Sequence, residues 1–151
     1  ILGVPGRKWE ECASDVHSKL MGDWIKNLAP KLTDILNEGT EVLVYSGDKD
    51  FICNWRGGEA WTDKCSWSGQ ADFHKQEYKE WAIGSESAGA LKTYENLKFL
   101  RVFDAGHMVP MNQPEAALQM LNQFISGGVK VKSCARSTKN SSALIAKRSF
   151  I

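Results

Sequence analysis

The chain has 151 residues, 42% of them apolar and 25% charged, which is enough for one ordinary soluble domain with its own core. A formal net charge of +1 gives no reason to expect nucleic acid or an acidic partner, and no apolar run is long enough to cross a bilayer. The first residue is Ile1, with no charged segment leading into an apolar one; no signal peptide is read, and the start is expected to follow processing or a cut.

Residues 1–8 contain Gly3, Pro5 and Gly6 and read as a loop. From 13 to 38, Val16, Leu20, Met21, Trp24, Ile25, Leu28, Leu32, Ile35 and Leu36 recur at spacings of three and four, which is a helical face. Pro30 predicts a break or kink near Ala29, and Gly39 a stop. The run Glu41–Gly47 predicts a buried strand, with Asp48 and Asp50 in the loop leaving it. A short helix is expected around Gly57–Thr62 and another near 71–80, and the glycines of 81–95 suit a hairpin. Lys98–Phe103 predicts a second buried strand, closed by Asp104-Ala105-Gly106 with His107 just beyond. Pro114 opens a last helix, whose apolar face is Leu118, Met120, Leu121, Phe124 and Ile125, and Gly127-Gly128 ends it. Residues 129–151 carry six Lys or Arg and no acid. They read as a separate basic tail, mobile or resting on another chain, after a domain spanning 1–128.

Helix, strand, loop acid, insertion, strand, loop histidine and helix, in that order, read as the closing portion of an α/β sheet protein. In open α/β sheets catalytic groups gather beyond the carboxyl ends of the strands, where Asp50 and His107 both fall. A serine nucleophile needs a base to take its proton and an acid to orient that base. The α/β-hydrolase order is Ser, then Asp or Glu, then His, and this chain shows the second and third members. It holds no G-x-S-x-G elbow. Gly84-Ser85-Glu86-Ser87-Ala88-Gly89 has the wrong glycine spacing and the wrong place in the order, so Ser87 is rejected as nucleophile.

Spacing alone does not separate Asp48 from Asp50; either could brace its turn through Asx hydrogen bonds, the reading preferred for Asp48. Cys53 also fits a small buried residue, Met108 a core filler, and Trp24 the packed side of its helix. His17 and His74 sit in polar surroundings and are read as surface residues. Cys12, Cys53, Cys65 and Cys134 form no CxxC pair, and the three histidines are widely spaced, so no metal and no cofactor is expected. Asn140-Ser141-Ser142 is a glycosylation sequon, which fits a secretory route.

Three stretches are specific. Gly47-Asp48-Lys49-Asp50-Phe51-Ile52-Cys53-Asn54-Trp55 followed by Ala60-Trp61 resembles the aspartate segment of yeast-type serine carboxypeptidases. Gly106-His107-Met108-Val109-Pro110 resembles their histidine segment, and Gly22-Asp23-Trp24 is also similar. The likeness runs over roughly residues 9–126. It implies the C-terminal part of an α/β-hydrolase fold, an incomplete central sheet with flanking helices. That family holds lysosomal, vacuolar or secreted exopeptidases that remove C-terminal residues from peptides at acidic pH. The resemblance assigns Asp50 to the triad acid and His107 to the triad base. It places Cys53 and Met108 in the substrate pocket, and Trp24 and Ile52 on walls beside the penultimate side chain. It also implies that Cys12 is bonded to a cysteine of the N-terminal portion of the same enzyme, which would bring the serine and the oxyanion hole. A Cys65–Cys134 bond is a guess that the resemblance does not support.

The resemblance leaves rivals: a non-catalytic binding or protective partner, or an acyltransferase or hydroxynitrile lyase on the same fold. Taken alone, the chain is expected to be inactive and poorly soluble, because a half-sheet leaves an edge open and apolar surface bare.

Overall fold

A computed structural model describes Gly6 and residues 8–129. The first helical pattern folds as α1 (Ser14–Leu20), a 3-10 turn (Met21–Asp23) and α2 (Ala29–Asn37). The expected break is there, and it is wider than a kink: residues 24–28 are non-helical, and Pro30 sits in the first turn of α2, where its missing N–H costs nothing. Gly39 ends the segment at φ +81°, a left-handed conformation that favours glycine.

Four strands follow, β1 (Val42–Gly47), β2 (Lys79–Ile83), β3 (Glu86–Tyr94) and β4 (Leu97–Val102), in the spatial order β1-β4-β3-β2. β1 and β4 are parallel, while β3 pairs antiparallel with both β4 and β2. Between β1 and β2 lie α3 (Trp55–Asp63) and α4 (Gln70–His74); after β4 come α5 (Val109–Asn112) and α6 (Pro114–Ile125). The helix expected over 71–80 is therefore a correction: it covers five residues, and Lys79 already begins a strand. Trp81, fully buried between the sheet and α6 with its indole N–H donating to Gln123, draws that segment into the sheet.

The strand period of two sorts β4 onto two cores. Leu97 and Phe99 pack with Leu36, Cys65, Trp67 and Phe73 on the face of α2 and α4. Leu100 and Val102 pack with Trp81, Leu91, Val109, Ala116 and Met120 on the face of α5 and α6. Burying each such side chain contributes roughly 1.5–3 kcal/mol. Val129, the first residue of the stretch read as a tail, is buried in this second core; 130–151, with Cys134 and Asn140, lie outside the described residues. No helix among the described residues is long and apolar enough to cross a membrane.

Candidate active site

Because β1 and β4 are adjacent and parallel, with Gly47 level with Val102, their carboxyl ends emerge side by side. The two loops that leave them are joined through the main chain. Asp48 N–H donates to the Val102 carbonyl and Lys49 N–H to the Ala105 carbonyl, each at 2.9 Å. The Lys49 ammonium also pairs with the Asp104 carboxylate. Gly47 allows this contact: a Cβ there would lie 2.3 Å from the Ala105 oxygen and 2.4 Å from that of Gly106.

Asp50 ends the first of these loops. Its Oδ1 accepts from the N–H groups of Ile52 and Cys53, both at 3.0 Å, and its Oδ2 lies 3.0 Å from His107 Nδ1. The Asp50 side chain is 6% exposed and the imidazole 64% exposed. Burial pushes the Asp50 carboxyl up, but the hydrogen bonds from His107, Cys53 and Ile52 together outweigh it, so the group is held below its ordinary 3.8. A carboxylate so fixed orients an imidazole while the other ring nitrogen faces outward.

The Asx hydrogen bonds thus belong to Asp50, which corrects the reading that gave them to Asp48. The Asp48 carboxylate instead lies 3.6 Å from the Arg101 guanidinium of β4, which also stacks at 4.2 Å on the Trp55 ring. The partner of Asp48 comes from a distant strand, beyond the reach of local turn chemistry.

Cys53 is exposed beside the pair, and its Sγ, an Asp50 oxygen and an imidazole nitrogen lie within 4.8 Å of one another. Such a trio can in principle hold a metal ion, which sequence spacing did not suggest; the Asp50–His107 hydrogen bond already occupies two of its ligand groups. Ile52 and Met108 flank the two residues in sequence, 81% and 56% exposed. Trp24 is 70% exposed, and its indole meets the ring of His17 edge-on with centroids 5.1 Å apart. Among the described residues, then, neither Met108 nor Trp24 is packed in a core and Cys53 is not buried. Cys12 is exposed, and Cys65 is buried against Thr33. His74 is at the surface as expected, 3.3 Å from Asp63, whose other oxygen takes a 2.7 Å bond from the buried Lys92.

One participant has no motif to announce it. Asn112, the last residue of α5, accepts the Gly106 N–H on its Oδ1 at 2.9 Å, immediately before His107. The available signal is weak: an amide between Pro110 and Pro114, in a helix of four residues.

The family model for serine carboxypeptidases matches residues 1–127. Carboxypeptidase Y of Candida albicans is 46% identical over 131 residues, covering 85% of this chain and 24% of the relative. Carboxypeptidase Y of Saccharomyces cerevisiae is 45% identical over 131 residues, covering 84% and 25%. Serine carboxypeptidase-like 47 of Arabidopsis thaliana is 42% identical over 129 residues, covering 85% and 26%. Among solved structures, Kex1(Δ)p of S. cerevisiae, a prohormone-processing carboxypeptidase, superposes with a TM-score of 0.67 at 28% identity, covering 78% of this chain and 26% of that one. The chain thus spans about a quarter of the length of the curated relatives it matches, and its mixed sheet with flanking helices is part of an α/β-hydrolase fold. It belongs to the serine carboxypeptidase family.

Proposed function

We propose that this chain supplies the acid and the base of a serine-type carboxypeptidase whose nucleophile lies outside it. The observation that carries the reading is the 3.0 Å contact between His107 Nδ1 and an Asp50 carboxylate held by two backbone N–H groups. With Asp50 ionised, Nδ1 carries the ring proton and Nε2 is left as the free base. Nε2 takes the proton of an incoming serine hydroxyl as its oxygen attacks the last peptide carbonyl. His107 returns that proton to the leaving amine, and water then releases the acyl group by the same route. The substrate class is a peptide with a free C-terminus, and Cys53 and Met108, exposed beside the dyad, suit its pocket. Ile52 and Trp24, both open to solvent, are proposed for the walls of the next subsite.

The partner is the N-terminal portion of the same enzyme, which brings the serine and the oxyanion donors and bonds to Cys12. A lysosomal or vacuolar compartment, or secretion, suits such an enzyme and the sequon at Asn140.

The test is labelling of the intact natural material with a serine-directed organophosphate. We expect one labelled serine on an associated segment, lost in His107→Ala together with roughly 10⁴-fold in turnover. Absence of label on every associated segment overturns the enzyme and leaves a carboxypeptidase-like binding protein.

A further inference from the structure

We propose that Asn112 is a positioning residue for His107: its carboxamide oxygen fixes the peptide group just before the histidine against the loop that carries Asp50. The inference rests on His107 being the base proposed above.

The argument starts from one peptide unit. The Ala105 carbonyl and the Gly106 N–H belong to the same planar group, and each has a partner on a different element. The carbonyl accepts from Lys49 N–H in the aspartate loop at 2.9 Å, and the N–H donates to Asn112 Oδ1 on α5 at 2.9 Å. A planar unit held at both ends cannot rotate without breaking a bond. The residue that follows it is His107, so the plane sets the direction from which the imidazole leaves the chain.

The upstream side is fixed as well. Asp104 adopts φ +55°, in the left-handed region, and its carbonyl accepts from Gln113 Nε2 at 3.2 Å. Without the Asn112 bond the Gly106 peptide keeps only its carbonyl anchor, and the two sides of the Asp50–His107 contact lose their common reference. Asn112 is exposed, so water can take its place at little cost in stability. Its contribution is therefore to orientation rather than to holding the fold. Only an acceptor oxygen at this reach is required, so aspartate can substitute and leucine cannot.

The experiment compares Asn112→Leu with Asn112→Asp in the enzyme that contains both this chain and its serine-bearing portion. We expect Asn112→Leu to lower kcat on the order of 10- to 100-fold, with KM and Tm nearly unchanged, as misplacement of a catalytic group does. Asn112→Asp should stay within a few-fold of the parent. Hydrogen exchange at the Gly106 amide should quicken in Asn112→Leu and not in Asn112→Asp. An unchanged kcat in Asn112→Leu overturns the proposal. So does a joint fall of kcat and Tm that aspartate does not rescue, because that marks a merely structural role. If His107→Ala leaves turnover intact, the catalytic reading has failed instead. The positioning of the ring is then judged by the Asp50 carboxyl: a titration that rises toward 3.8 in Asn112→Leu supports it, and one that stays put overturns it.

Discussion

The sheet and the segment that precedes it both carry runs of apolar side chains, yet these end in opposite surroundings. In β4, Leu97, Phe99, Leu100 and Val102 are at most 1% exposed, whereas α1 buries no residue at all. Along 16–28, Val16, Leu20, Met21, Trp24, Ile25 and Leu28 all face solvent, Ile25 at 91%. The difference is one of partners. β4 has a strand on each side and helices on each face, while the apolar stripe of 16–28 has nothing among the described residues to cover it. Periodicity reveals that a face is built to be buried, and it is silent about whether the burying surface is present.

The comparison breaks most sharply at Phe99. Phe99→Ala should cost about 3–5 kcal/mol, seen as a lower denaturation midpoint, because a fully buried ring leaves a cavity. An unchanged midpoint would mean that the sheet is no more self-supporting than the helical segment. Gly47→Ala should cost about 1–3 kcal/mol by forcing apart the backbones of the two loops that carry Asp50 and His107, and, on the function proposed above, it should impair turnover more than a core change of equal cost. The paired change Ile25→Ser and Leu28→Ser should shift the midpoint of the isolated chain by only about 0.5 kcal/mol. It should also raise the soluble fraction on expression alone, as read by sedimentation. A large loss of stability would show that these side chains are already covered.

The smallest effect is in acid. The Asp50 pKa is depressed on folding, so the stability it contributes is complete above 3.8 and is lost as the pH falls through its lowered folded value. The advantage of the parent over Asp50→Asn in thermal melts should therefore be constant from pH 6 to 5 and shrink below 3.8.

Much of this was legible in advance because the signals are local. The apolar runs of β1 and β4 announce themselves, and the loops that leave those strands show where an acid and a base can meet. The face of α6 was only partly legible: Met120 is buried as expected, but Leu118, Leu121 and Ile125 are exposed, and the small Ala116 and Ala117 pack inward instead. What was hidden depends on distant chain. Asp48 and Asp50 are chemically equivalent in sequence; Arg101, 53 residues on, engages the first, and His107 the second. The 71–80 stretch carries aromatic residues compatible with either helix or strand, and the pocket for Trp81 decides it. Asn112 was missed because its partner is a main-chain N–H, which no side-chain pattern encodes.

The two outer strands of the sheet differ in a way that bears on how the protein is made. β2 is guarded against stray pairing: Lys79 and Glu80 project into solvent, and the register slips between Trp81 and Ala82. β1 has no such guard, since Val-Leu-Val-Tyr-Ser-Gly carries neither charge nor proline. Wherever that edge stays uncovered, copies of the chain can zip together along it, so misassembly is expected to start at β1 rather than at β2.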